Sequence, residues 1–210
     1  MKIGFIGSGN IGQAVATSAI RAGYSVVMSN SRGPETLKGL IRKLGPKAEA
    51  ATAEQAAREG DMVVVTVPLY ALPKLPTDGT AGKTLIDTMN YYPGRDGRIA
   101  SLDSNSTTTS ELTAKHFPEA HVVKAFNSII AGEIVTTGKP KGDPQRRALP
   151  IAGDSAAAKK DVTDLLNAIG FDVYDAGVLH EGYRFQNGTP AYCARANREE
   201  LIQLLKQAAD

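Results

Sequence analysis

The sequence predicts an α/β fold built on a doubly wound parallel sheet, and three observations carry that prediction. An apolar run, Lys2–Ile6, passes without a gap into Gly7-Ser8-Gly9-Asn10-Ile11-Gly12. Short β-branched runs then alternate with segments of helical period along most of the chain. The stretch Asp61–Val67 (Asp-Met-Val-Val-Val-Thr-Val) is almost continuously apolar, which suits a parallel strand buried on both faces.

The first 32 residues read as strand, glycine turn, helix, strand. Ala14, Val15, Ala19 and Ile20 recur at helical spacing up to Gly23, and Tyr24–Met28 is apolar again. A bare GxGxxG is a weak signal, but one that follows a strand and opens a helix is strong. Gly7 permits the tight turn, Gly9 lets the backbone approach a pyrophosphate, and Gly12 allows close packing of helix on sheet. The helix N-terminus offers free N–H groups and partial positive charge to phosphates, with Ser8, Asn10 and Ile11 beside them. A turn with no ligand is the weaker reading, because three glycines in this register would otherwise weaken it for no return. The pattern is that of a Rossmann-type dinucleotide site.

The dinucleotide is chosen at the end of the second strand. An NAD site normally places an acid about 20 residues past the glycines, for the ribose 2′-OH. Here the strand ends in Ser29-Asn30-Ser31-Arg32, and the first carboxylate is Glu35. A carboxylate would repel a 2′-phosphate, whereas Asn30, Ser31 and the Arg32 guanidinium would hold one. NADP(H) is therefore the expected cofactor.

Gly33-Pro34-Glu35 reads as a helix start, and the helix should continue through Leu37, Leu40, Ile41 and Leu44 to Gly45-Pro46. A short strand near Ala48–Ala51 and a small helix over Thr52–Arg58 follow. After Asp61–Val67 comes Pro68. Because ligands lie beyond the carboxyl ends of strands in open α/β sheets, Val67, Pro68 and the turn Leu69-Tyr70-Ala71-Leu72 after them should border the cofactor. Pro73 and Pro76 break any long helix there. Lys83–Asp87 is the next strand, and Asn90 past its end is either a nicotinamide contact or a turn residue before Pro93-Gly94. Residues 101–110 read as a solvated helix start with several candidate caps.

His121–Asn127 is a further strand, in which Lys124 needs a partner or a ligand and Asn127 is a candidate for the nicotinamide side. Ser128–Thr136 reads as a short helix over the site. Lys139–Arg147 reads as a solvated loop, with a basic rim for an anionic substrate as the sharper alternative. Strands at Ala148–Ala152 and Phe171–Tyr174 flank a helix over Ser155–Ile169. A last helix, from about Pro190 to Ala208, presents Leu201, Ile202, Leu204 and Leu205. The organisation expected is a dinucleotide-binding domain over residues 1–178 and a C-terminal lid and helix over 179–210.

Composition limits the function. At 210 residues the chain can bury a sizeable core, and 42% hydrophobic with 22% charged residues is ordinary for a globular protein. A net charge of +2 with no basic face gives no sign of nucleic acid, and no apolar run is long enough to span a bilayer. A strand beginning at Lys2 leaves no room for a signal peptide, so a cytoplasmic location is expected. The lone Cys193 and the scattered His116, His121 and His180 make neither a disulfide nor metal spacing. No nucleophile motif is present, and His180-Glu181 reads as a surface turn before an acid–base pair.

The glycine motif, Asn30-Ser31-Arg32-Gly33-Pro34-Glu35, Val65-Thr66-Val67-Pro68, Lys124-Ala125-Phe126-Asn127, Gly153-Asp154 and Gly170–Gly177 together resemble the NADPH-dependent coenzyme F420 reductase family. That family includes F420H2:NADP oxidoreductases and the related N-terminal domains of membrane ferric reductases. The likeness spans roughly residues 1 to 178. It implies hydride transfer between the nicotinamide and a stacked deazaflavin, F420, with the protein supplying orientation and exclusion of water rather than acids or bases. No catalytic side chain is therefore expected, and the resemblance suggests a homodimer. The chain departs from the family in the proline-rich Leu69–Pro76 segment and in His180–Tyr192, where Arg184 stands in place of the expected arginine. Those departures leave room for a flavin, a quinone or another small acceptor. Two alternatives are an imine-type reductase, for which the C-terminal segment is short, and an NADP(H)-binding redox sensor without turnover.

Overall fold

The computed structural model describes residues 1–208. Its strands are β1 (Lys2–Ile6), β2 (Ser25–Ser29), β3 (Ala48–Ala50), β4 (Met62–Val65), β5 (Thr84–Asp87), β6 (His121–Lys124), β7 (Ala148–Gly153) and β8 (Asp172–Asp175). The α-helices in chain order are α1 (Asn10–Arg21), α2 (Lys38–Leu44), α3 (Ala53–Glu59), α4 (Pro93–Asp96), α5 (Ala100–Asp103), α6 (Thr109–His116), α7 (Ala131–Thr136), α8 (Ala156–Ala168) and α9 (Arg198–Gln207). Short 3-10 helices occupy Pro34–Leu37, Leu69–Lys74 and Leu179–Phe185.

One sheet of eight strands runs in the order β3-β2-β1-β4-β5-β6-β7-β8. The first six strands are parallel, as expected of a doubly wound α/β sheet. β7 is antiparallel to β6, and β8 is parallel to β7, so the last two strands run the other way. Alternate side chains serve two cores. Ile3, Phe5, Met28, Val64, Ile86, Val123 and Leu149 pack with α1, α7 and α8 on one face. Ile6, Val63, Val65, Leu85 and Val122 pack with Phe117 and Leu112 on the other. Beyond β6 that second face is covered by the tail, where Phe185, Leu201 and Leu205 close on Ala148 and Ala152.

Several boundaries differ from the sequence reading. The segment after Gly33 splits into a 3-10 turn, which buries Leu37, and α2, whose Leu40, Ile41 and Leu44 pack half-buried against the core. The last helix starts at Arg198, not near Pro190, since Asn197 caps it by accepting from the Glu200 N–H and Glu200 reciprocates. Leu201 and Leu205 are its buried residues. α7 runs beside α1, tied to it by the Ser18 hydroxyl on the Ile134 carbonyl, so it flanks the first helix rather than roofing the site. Residues 209–210 of the expected C-terminal unit lie outside the described residues. No helix among the described residues is long and apolar enough to cross a membrane.

Candidate functional site

The β1–α1 turn has the shape its glycines demand. Gly7 sits at φ 111°, and a Cβ there would lie 2.2 Å from the Thr66 carbonyl oxygen. A Cβ on Gly12 would lie 2.7 Å from Thr66 Cγ2, so α1 and the end of β4 meet closely at that point. Around Gly9 there is open space, with nothing within 4 Å of the position a Cβ would take. That is a cradle shaped for a ligand to approach the backbone. Gly9 is also the N-cap of α1, with no side-chain cap and no acid in the first turn, so its N–H groups and dipole face outward uncompensated.

Two cavities meet over this turn. The larger, about 770 Å³, runs from Gly7, Ser8 and Gly9 past Val67 and Pro68 to Asn30, Ser31 and Arg32. The smaller, about 270 Å³, continues from Gly9, Asn10 and Ile11 over Val67 and Pro68 to Asn90 and Asn127. The two therefore share Gly9, Val67 and Pro68, and the candidates named from sequence line one continuous cleft. Gly12 is the exception, buried beneath the floor.

At the far end of the larger cavity Arg32 is exposed, and its N–H donates to Asn30 Oδ1 at 2.9 Å. Asn30 Nδ2 donates to Thr36 Oγ1 at 2.9 Å, and Thr36 in turn donates to the Gly33 carbonyl at 2.7 Å. The Asn-Ser-Arg turn is thus braced by its own next turn, with the guanidinium left free of ion pairs among the described residues.

The near end is built by longer-range contacts. Asn90 Nδ2 donates to the Asn127 carbonyl at 2.9 Å, and Asn127 Nδ2 donates to Asn90 Oδ1 at 3.2 Å and to the Phe185 carbonyl at 2.9 Å. Phe126, just before Asn127, is held at φ 61°, a left-handed conformation that costs a bulky residue strain and turns the chain sharply out of β6. Below this pair lies Lys124, buried at 1% exposure against Asp87 at 0%. Lys124 Nζ lies 3.3 Å from Asp87 Oδ2, donates to Thr109 Oγ1 at 2.7 Å and reaches the Met89 carbonyl. Asp87 Oδ1 accepts the Met89 N–H at 2.8 Å, and Oδ2 accepts the Ser110 hydroxyl at 2.6 Å. The ion pair therefore holds the Met89 backbone at both its N–H and its carbonyl and sets the turn that carries Asn90. Burial pushes the Lys124 ammonium below the usual lysine range, and the Asp87 carboxylate opposes that shift. The lysine that sequence marked as needing a partner or a ligand has a partner.

Other readings are corrected. The 101–110 segment is not simply a solvated helix start: Thr108, Thr109 and Ser110 are buried, Thr108 caps α6 in a capping box with Glu111, and the next two residues serve the Lys124–Asp87 pair. Lys139–Arg147 is neither a fully solvated loop nor a basic rim of this cleft. Arg146 is buried on the Phe171 carbonyl at 2.7 Å and Asp172 at 3.0 Å. Arg147 is buried on Glu133 Oε2 at 2.5 Å, and Arg195 holds the other oxygen of that carboxylate. His180 does not face Glu181; its Nδ1 lies 3.0 Å from Glu111 Oε1, while Glu181 pairs with Arg184 at 3.2 Å. No cluster able to hold a metal ion occurs among the described residues.

Tyr70, in the turn after Pro68, lines the larger cavity, whereas sequence reasoning missed Tyr92, Arg95 and Tyr192 in the smaller. Tyr92 and Arg95 follow Asn90 closely, and an aromatic and an arginine just past a strand's carboxyl end were a readable signal. Tyr192 carried none, because only the folded tail brings it here.

Residues 2–91, which hold the glycine turn, the Asn-Ser-Arg turn and Asn90, match the family described as NADP oxidoreductase, coenzyme F420-dependent. Over those residues the chain is similar to this family of NADP-dependent oxidoreductases. Among solved structures, the hypothetical protein SMa0349 of Sinorhizobium meliloti superposes with a TM-score of 0.78 at 27% identity, covering 92% of this chain and 93% of that one. A candidate F420-dependent NADP reductase of Arthrobacter sp. FB24 superposes at 0.71 with 28% identity, covering 85% of both chains. The metalloreductase STEAP3 of Rattus norvegicus is 33% identical over 180 residues, 85% of this chain and 34% of that protein. The chain thus spans about a third of that relative, and 56% of the Bacillus subtilis oxidoreductase YfjR. Imine reductases of Myxococcus stipitatus share the fold, at 20% to 21% identity.

Proposed function

We propose that this chain binds NADP(H) along the joined cleft and passes a hydride between the nicotinamide and a small conjugated acceptor of the deazaflavin (F420), flavin or quinone type. One observation carries the reading: two cavities, about 770 Å³ and about 270 Å³, meet at Gly9, Val67 and Pro68, as the two halves of a dinucleotide meet at its pyrophosphate. Gly7, Ser8, Gly9 and the α1 N-terminus, with Asn10 and Ile11, hold the pyrophosphate, while Gly12 lets α1 approach closely enough to do so. Asn30, Ser31 and Arg32 hold the 2′-phosphate, the guanidinium supplying a charge-assisted bond that an NAD site has no use for. Val67, Pro68, Asn90 and Asn127 border the nicotinamide ring. When bound, the cofactor supplies the hydride, and the protein's part is orientation and the exclusion of water.

The segment from residue 179 onward is the lid and helix that complete the nicotinamide end, through the Phe185 carbonyl on Asn127. A homodimer in the cytoplasm is the setting proposed, where Cys193 stays reduced.

The test is rapid mixing of protein and NADPH with F420, then FMN, then a simple quinone, following the reduced-nicotinamide absorbance. Fast loss with at least one acceptor is expected. Tight NADPH binding with no loss for any of them would replace the enzyme with an NADP(H)-binding sensor.

A further inference from the structure

We infer that the Tyr92–Tyr192 hydroxyl pair, backed by Arg95, is the acceptor-binding edge of the site, and that it selects planar acceptors carrying a conjugated carbonyl oxygen. The inference rests on the hydride-transfer reading above and adds the group that meets the second substrate.

The edge is built, not incidental. The Asp96 side chain is fully buried, and its carboxylate accepts the N–H of Tyr92 at 2.9 Å and of Tyr70 at 3.3 Å. Arg95 pairs with the same carboxylate at 2.8 Å and donates to the Asn90 carbonyl at 2.9 Å, with its guanidinium 4.8 Å from the centre of the Tyr92 ring. One buried acid therefore fixes Tyr70, Tyr92 and Arg95 as a unit attached to the turn that carries Asn90. Tyr192 arrives from the tail. Asn187 Nδ2 on the Tyr91 carbonyl at 3.0 Å and the Cys193 N–H on the Ser128 carbonyl at 3.1 Å set its approach. Cys193 takes φ 57°, a left-handed turn that a thiol side chain rarely occupies.

The two hydroxyl oxygens lie 2.8 Å apart, and both tyrosines line the smaller cavity together with Asn90 and Asn127. A single bond between two hydroxyls consumes one of their two hydrogens and leaves one O–H as a donor, made stronger by the bond behind it. Burial and the neighbouring Tyr92 push the Tyr192 phenol above its ordinary range, so it stays protonated at physiological pH. The nearby guanidinium adds positive potential without needing to touch the ligand.

The chemistry that uses such an edge is specific. When a hydride, one proton with two electrons, reaches a conjugated acceptor, NADPH becomes NADP+. The acceptor's π pair moves onto its carbonyl oxygen as that carbon–hydrogen or nitrogen–hydrogen bond forms. The oxyanion accepts the tyrosine O–H as a hydrogen bond and then takes a proton from water, so the tyrosine ends as it began. A donor placed where charge develops speeds the transfer more than it tightens ground-state binding.

The experiment compares Tyr92→Phe, Tyr192→Phe and the double variant with wild type. It measures kcat/KM for F420, FMN and a simple quinone, the dissociation constant of NADPH, binding of each oxidised acceptor by equilibrium dialysis without NADPH, and the thermal midpoint. The double variant should lose about 100-fold in kcat/KM for every acceptor the wild type uses, the low end for loss of an oxyanion donor. One single variant should be as slow as the double, because only one hydroxyl carries the free hydrogen. Acceptor binding should weaken, while NADPH binding and the thermal midpoint hold. A double variant within threefold of wild type in kcat/KM, or a loss explained by weaker NADPH binding or a lower midpoint, makes the pair a tail anchor and overturns the inference. If wild type turns over none of the three acceptors, the hydride-transfer reading falls and takes this one with it.

Discussion

At the Gly7–Arg32 end of the cleft the shape of the site comes from backbone geometry and from residues close in sequence: a glycine turn, a helix N-terminus and an Asn-Thr-Gly brace spanning six positions. At the Asn90–Tyr192 end it comes from polar contacts between residues up to 100 positions apart. The same sheet supports both ends. The first is held from below by β1, β2 and β4, which are buried on both faces, whereas the second rests on a buried ion pair and a buried acid. The difference teaches where this protein can change. A site made by local backbone must keep its motif, whereas one made by distant side chains can be rebuilt while the local half stays.

The sharpest way to break that contrast is at the glycines. Gly7→Ala combines a positive φ with a Cβ 2.2 Å from a backbone oxygen, and should cost at or beyond the ~4 kcal/mol that marks exceptional single substitutions. Gly9→Ala meets nothing within 4 Å, so it should unfold like wild type while its NADPH affinity falls. Urea unfolding beside an NADPH titration separates the two, and equal loss of stability in both variants would contradict the local geometry.

The Asn90–Tyr192 end is tested through its ion pair. Lys124→Met leaves Asp87 as a buried, uncompensated charge and should destabilise by about 3–5 kcal/mol. Pairing it with Asp87→Leu should recover a large part of that stability in denaturant melts. Activity should not follow, because the Met89 backbone loses that hold and Asn90 its position. Recovery of both stability and turnover would mean that the pair serves packing alone.

Arg32→Ala probes the other end at smaller cost. Losing a charge-assisted contact with the 2′-phosphate should weaken NADPH by about 1.5–3 kcal/mol and leave NADH nearly unchanged. Parallel fluorescence titrations decide it, and equal weakening of both nucleotides would remove Arg32 from the 2′-phosphate site.

The smallest effect expected lies in pH. Arg195, then Arg147, hold the Glu133 carboxyl below its ordinary value of 4.5. A carboxylate with a depressed folded pKa adds stability that is complete above 4.5 and is lost as pH falls through the folded value. Glu133→Gln should therefore flatten the acid limb of the stability profile below pH 4.5 and leave the Arg32 end of the cleft with its neutral-pH NADPH affinity. An unchanged acid limb would mean the carboxyl titrates alike in the folded and unfolded chain.

By itself the sequence determined the fold class, the order of most strands and helices, the glycine turn and the Asn30–Arg32 turn. Each of these depends on hydrophobic period or on residue types within a few positions of one another, so it is written in a short window. It also marked Lys124 as a lysine that could not stand alone in an apolar strand. Only the tertiary structure decided that its partner is Asp87, that Thr109 and Ser110 are buried in that cluster, and that Arg146 and Arg147 leave their polar loop for the interior. It alone reversed β7 and β8, placed His180 on Glu111 and brought Tyr192 against Tyr92. Those outcomes depend on which surfaces meet after the sheet has formed, where a buried charge or hydroxyl takes whichever partner the packing supplies. Neither the spacing nor the type of such a residue records that partner in advance.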